Sequence, residues 1–220
     1  MNRNPEGSDP AREGLVYFSR MAASISHEMK NVLAVISEIA GLFGDLGLAA
    51  QKGRVLDPAQ LTRLSSKMAE QIQRADVIAK RLNRFAHSAD EPLKEVNLWE
   101  ELDFFCALSF RFVERRGFRL GLSPVQEPIA CATDPFGLLL VLFLSLEIVM
   151  ETARKDVALN LSVRREGGGV IIGLDGDFQA PALFSDQKKE SLSFWLPVIK
   201  AQMSSPGTRC PLELSFTLFA

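Results

Sequence analysis

From Phe18 onward the apolar residues fall at Phe18, Ala22, Ile25, Met29, Val32, Ile36, Ile39, Phe43 and Leu46. The steps alternate four and three, which is the heptad seam of one long helix. Gly41, Gly44 and Gly47 weaken its last turns, and "AAQKGRVLDP" (residues 49–58) reads as the loop that follows. Asp57 before Pro58 supplies a capping side chain and then proline at the first helical position. A second seam runs through Leu61, Leu64, Met68, Ala75, Ile78, Leu82 and Phe85, with Gln71 at one seam position, where a polar residue fixes register at a cost in stability. Two seamed helices make a helical hairpin with a thin core. A second copy completing a four-helix bundle is the natural remedy, so a homodimer is expected.

The texture changes at "HSADEPLKEVNLWEE" (87–101), and the pattern divides the chain three ways. Residues 1–14 are a polar, mobile tail, 15–89 the dimerising hairpin, and 90–220 a second domain. That domain opens with a helix over Leu98 to Arg116, then a short strand in "FRLGLS" and an apolar helix from Pro135 to Ala153. Strands "VALNLSVRR" and "GVIIGLD" follow, joined across "EGGG" as a hairpin; a helix over "LSFWLPVIKAQM" and a terminal strand "LELSFTLF" end the chain. Helices mixed with mostly antiparallel strands predict an α+β chain, its second domain a sandwich with one helical layer.

Composition narrows the function classes. With 47% hydrophobic and 24% charged residues, the 220-residue chain can bury a real core. A net charge of −2 without a basic stripe gives no case for nucleic acid. Three cysteines, Cys106, Cys131 and Cys210, stand far apart without ligand spacing, which argues against a disulfide framework or metal site and suits a reducing cytoplasm. The run "LLLVLFLSLEIVM" (138–150) is broken by Ser145 and Glu147 and falls short of the ~20 residues that span a bilayer. The polar start lacks the apolar core of a signal peptide, so a cytoplasmic protein without membrane insertion is expected.

Candidate chemistry lies in "SISHEMKNVLAVI" (24–36), which holds one of two histidines. With Ile25 and Val32 at heptad position d and Met29 at a, His27 falls at f, facing away from the partner helices. Asn31 falls at c, one turn on and on the same surface, and Glu28 flanks the pair. An exposed imidazole, neutral near cellular pH, is a nucleophile, and a neighbouring carboxylate can fix its tautomer. A solvated His-Glu pair on an ordinary helix face has the same spacing. A zincin HExxH needs a second histidine where Asn31 stands.

"ISHEMKNVLAVI" resembles the H-box of bacterial sensor histidine kinases, written HE[LIM][RK][NT]PL. "RADVIAKRLNRFA" and "VNLWEELDFF" look like that family's second bundle helix and the entry to its ATP-binding domain, and "TDPFGLLLVLFLSLEIVMETA" like its N-box helix. The resemblance implies a dimeric bundle followed by a kinase-type ATPase-like sandwich. It makes His27 the phosphoacceptor, Glu28 its acid/base partner, and Asn31 the residue that positions water or an aspartyl phosphate. Ala22, Ser26 and Lys30, close by on the helix, would line the footprint of a receiver domain. Val32 stands where the family usually has proline, which leaves the His-Glu-Asn face intact.

The second half departs further from the family. Leu144 and Ile148 stand where asparagines are expected, the second a magnesium ligand, although Glu147 beside it offers a carboxylate. "GLDGDFQAP" resembles the first glycine box, with Asp175 in the adenine-contacting place but Asp177 and Gln179 where glycines belong. No glycine lies between Asp177 and Ser191 to form a phosphate lid, and "SFWLP" replaces the usual glycine-rich helix start. An intact H-box beside an eroded nucleotide site resembles the phosphorelay histidine phosphotransferases. The implied function is a phosphoryl group carried on His27 and exchanged with receiver-domain aspartates, supplied by an upstream kinase or receiver, with no bound cofactor. The alternatives are a divergent kinase using Mg-ATP, a non-catalytic pseudokinase scaffold, and a response-regulator phosphatase.

Overall fold

The computed structural model describes residues 9–152, 158–176, 185–205 and 212–217. The chain forms two compact units, one of Ala22–Ala86 and one of Met1–Met21 with His87–Ala220.

The helical unit carries most of α1 (Pro10–Gln51) and all of α2 (Pro58–Ala86). The seam residues Ile25, Val32 and Ile39 of α1 are buried, as are Leu64, Ile78 and Phe85 of α2. The alternate seam row, Met29, Ile36 and Phe43, is only half-buried, as is Leu46 at the end of the first row. Leu33, Leu42 and Ile72 are 53%, 43% and 54% exposed. One hairpin thus covers one row of each seam and leaves the other half open, as a heptad pattern with too few helices must. By length and composition α1 could also cross a membrane, since an 18-residue window has mean hydropathy 1.8 and is 11% buried. Asp57 caps α2 as expected, its Oδ1 accepting the Ala59 N–H at 2.9 Å.

Residues 10–14, expected to belong to a mobile tail, are helical. Helix α1 starts at Pro10, where Asp9 Oδ1 accepts the Ala11 N–H at 3.1 Å; residues 1–8 lie outside the described residues. These first turns belong to the α/β unit and pack there.

That unit contains β1 (Lys94–Asn97), α3 (Leu98–Arg115), β2 (Arg119–Leu122), β3 (Ala130–Thr133), α4 (Pro135–Thr152) and β4 (Ala158–Glu166). It continues with β5 (Gly169–Asp175), α5 (Asp186–Val198), β6 (Ala201–Ser204) and β7 (Leu212–Thr217). The main sheet has the order β2-β4-β5-β7-β6, and β1 pairs with β3 in a separate two-stranded sheet. All pairings are antiparallel except β2 with β4. Gly167 and Gly168, at φ 57° and 79°, form the two-residue turn joining β4 and β5; two successive positive φ angles match the right-handed twist of the strands.

The expected α+β architecture is the one the chain adopts, with three local corrections. The helix predicted through residue 203 ends at Val198, and residues 201–204 form β6 instead. Ala201 pairs with Phe216 and Met203 with Leu214, so sheet pairing overrides helix propensity after Lys200 takes φ 57°. The same helix starts at Asp186 rather than near Ser191, because Ser185 caps it by accepting the Lys188 N–H at 3.4 Å. Strands β1 and β3 were not expected; four residues each, they are too short for a visible period.

Helix α4 organises the core. Residues 138–144 are buried without interruption, the mark of a helix apolar all round and covered all round. Leu142, Ser145 and Leu146 meet Leu161, Ile172, Leu174, Leu212 and Leu214 of the sheet around a small internal cavity. On another side α4 receives the first turns of α1. The Tyr17 ring lies 5.8 Å from Phe136 and 5.0 Å from Phe143, and Phe112 of α3 is 4.6 Å from Phe143. A Cβ at Gly14 would stand 3.4 Å from Phe136 and 3.6 Å from Trp195, and Glu13 accepts the Ser191 O–H at 2.6 Å.

Candidate functional site

His27 is exposed on α1, as its heptad position requires. Its Nδ1 lies 3.3 Å from Nδ2 of Asn31, one turn further on. The geometry follows from helix pitch, because residues four apart differ by about 40° around the axis. Glu28, about 100° round from His27, turns toward α2 instead. Its carboxylate is 14% exposed and stands 3.7 Å from Nη1 of Arg81, itself 23% exposed. The two residues expected to serve His27 are therefore divided in their contacts: Asn31 touches the ring, and Glu28 pairs across the hairpin. Arg81 was not among the candidates that the sequence pattern offered. The available signal was its heptad position g, which faces the g position of Glu28 in an antiparallel pair. Ser26 and Lys30 are exposed on the same stretch of helix, whereas Ala22 is half-buried in the seam.

The residues expected around a nucleotide do not converge. Leu144 and Ile148, in the asparagine places, are buried in the core. Glu147 is 13% exposed and held by two guanidiniums, Arg20 at 3.2 Å and Arg116 at 3.6 Å. Arg116 also lies over the Phe112 ring at 4.3 Å, a cation–π contact. Sequence separations of 127 and 31 residues gave no warning of this clamp. A carboxylate so neutralised is spent on packing the first turns of α1 rather than offered to a cation.

Asp175 projects from the other side of the sheet. Val170, Ile172 and Leu174 are buried, and Ile172 and Leu174 meet α4 at the internal cavity, so the pleat sends Asp175 to the outer face, where Ser162 donates its O–H to Oδ2 at 3.0 Å. Arg164 and Glu213 pair on that face at 2.7 Å. The period-2 pattern of "GVIIGLD" already contained this assignment. Asp177 and Gln179 lie outside the described residues, as does most of the segment between Asp177 and Ser191.

The remaining candidates have local explanations. Burial, with Asp103 nearby, pushes the Cys106 thiol up to about 12, so it is inert at neutral pH. Cys131 is buried and its thiol is also raised, chiefly by burial, while Cys210 lies outside the described residues. Trp99 donates to the Ser123 carbonyl at 3.0 Å. His87 bonds Asp90 at 2.7 Å just beyond α2. Among the described residues no cluster of three His, Cys, Asp or Glu side chains could hold a metal ion.

No protein-family model matches the chain, and no curated protein matches it. Solved structures with a similar arrangement are domains of histidine kinases. The Acinetobacter baumannii histidine kinase AdeS matches with TM-score 0.47 and 10% identity, over 88% of this chain and 98% of that one. Histidine kinase ThkA, in complex with the response regulator protein TrrA, matches with TM-score 0.42 and 15% identity, over 93% and 62% of the respective chains. The cytoplasmic segment of histidine kinase QseC matches with TM-score 0.41 and 13% identity, over 68% and 95%. At these values the likeness is one of arrangement and carries nothing about chemistry.

Proposed function

We propose that this protein carries a phosphoryl group on His27 and exchanges it with aspartates of response-regulator receiver domains, without turning over ATP. The observation that carries the reading is the exposed imidazole of His27, held through one ring nitrogen by Asn31 on a helix whose apolar seam is committed elsewhere. An aspartyl phosphate is already an activated donor, so the protein needs to supply only position and a nucleophile, while the receiver brings its own metal. Ser26 and Lys30, exposed beside His27, offer a small polar surface and one positive charge to an acidic receiver site. Against a kinase stand the apolar Leu144 and Ile148, the clamped Glu147 and the outward-facing Asp175.

The test uses two donors. Incubated with magnesium and γ-labelled ATP the protein should gain no acid-labile, base-stable label; incubated with a phosphorylated receiver domain it should gain it. Label from ATP would make the protein a kinase. Label from neither donor would leave a scaffold, and loss of phosphate from the receiver without labelled protein would mark a phosphatase.

The exposed Leu33, Leu42 and Ile72 and the half-buried seam row call for a cover, and a second hairpin is the reading we favour. Sedimentation should give twice the 24.3 kDa chain mass, and Leu42→Glu with Ile72→Glu should return it to one chain. A monomeric wild-type chain would sink the dimer and turn attention to a membrane as the cover.

A further inference from the structure

We propose that Asn31 is a positioning residue that decides which ring nitrogen of His27 holds the proton, through the orientation of its side-chain amide. This rests on the reading of His27 as a nucleophile and deepens it. The amide nitrogen of Asn31 faces Nδ1 at 3.3 Å. An amide N–H can only donate, so in this arrangement Nδ1 presents its lone pair and the single proton of the neutral ring sits on Nε2. The lone pair of Nε2 is then absent, and the nitrogen pointing away from Asn31 cannot attack. Half a turn about the Asn31 Cβ–Cγ bond presents Oδ1 instead. That oxygen accepts a proton on Nδ1 and leaves Nε2 with a free lone pair.

The two orientations are isosteric, and both side chains are exposed, so neither packing nor burial locks one of them. Among the described residues nothing else bonds the ring. Glu28, the carboxylate that would otherwise hold Nδ1–H permanently, is paired to Arg81. A carboxylate only accepts and fixes one tautomer, whereas an amide, being donor on one side and acceptor on the other, allows both.

In the ready form the Nε2 lone pair attacks the phosphorus of an aspartyl phosphate. The N–P bond forms as the P–O bond to the aspartate breaks, the carboxylate leaves with that electron pair, and the ring becomes cationic with its proton still on Nδ1. In that state Oδ1 of Asn31 accepts the Nδ1–H and steadies the phosphorylated ring. The other orientation is a resting form.

The experiment is nitrogen-15 NMR of the His27 ring in the full chain, with the ring neutral, for wild type, Asn31→Asp and Asn31→Ala. Protonated and unprotonated ring nitrogens resonate far apart, so the tautomer ratio is read directly. Asn31→Asp, which can only accept, should raise the Nδ1–H fraction several-fold over wild type. Asn31→Ala should bring the ratio to that of a histidine in an unstructured peptide. The same ratio in all three proteins overturns the proposal. Transfer from a phosphorylated receiver, measured separately on the same samples, reports on the function alone. Ratios that move while no sample accepts a phosphoryl group would sink the phosphotransfer reading and leave the tautomer assignment standing.

Discussion

His27→Ala is expected to abolish labelling by a phosphorylated receiver, a loss on the order of a thousand-fold or more, because no other group can replace a missing nucleophile. The fold should not notice. The side chain is exposed and makes one hydrogen bond, to a neighbour equally open to water, so urea unfolding should move by no more than about 0.5 kcal/mol. The chain supplies its own control in its second histidine. His87 is also exposed and is bonded to Asp90 at 2.7 Å beyond the end of α2. His87→Ala should leave labelling intact. Labelling that survives His27→Ala, or fails only with His87→Ala, would move the chemistry to another group and end the case for His27 as phosphoacceptor.

The largest effect on stability is expected from Phe143→Ala. Phe143 is 1% exposed and stands between Tyr17 of α1 and Phe112 of α3, with ring centroids at 5.0 and 4.6 Å. Truncation removes an aromatic ring from the point where three helices of the α/β unit meet and leaves a cavity that two other rings can only partly fill. The loss should be about 3–5 kcal/mol, a large share of the ~5–15 kcal/mol that holds an ordinary domain together. Denaturant unfolding followed by Trp99 and Trp195 fluorescence would measure it, both tryptophans being in this unit. Phe143→Leu, which retains most of the volume, should lose less than half as much. A loss under about 1 kcal/mol for the alanine variant would mean that the first turns of α1 are not seated on α4.

The seating of α1 also bears on function. Taken from the sequence alone, the Glu147 carboxylate is available to a cation; with Arg20 and Arg116 upon it, it is a packing element. The same contact accounts for a tail that is helix from Pro10. Pairs of this kind join residues that share no periodicity and no local motif, so nothing in the order of residues announces them.

Patterns that repeat within a few residues were legible from the sequence. The heptad steps of Ile25, Val32, Ile39, Leu64, Ile78 and Phe85 fixed two helices and the exposed place of His27, since a period of 3.5 residues allows only one buried face. The glycines at 167 and 168 in "EGGG" marked the turn between β4 and β5. Tertiary structure decided everything that depends on which side chain meets which across the fold. It paired Ala201–Ser204 with β7 rather than prolonging α5, set β2 parallel to β4, and turned Glu28 to Arg81. The physical reason is range: periodicity and capping act within a turn or two of the chain, while ion pairs and strand pairing are chosen by competition among groups that only folding brings together.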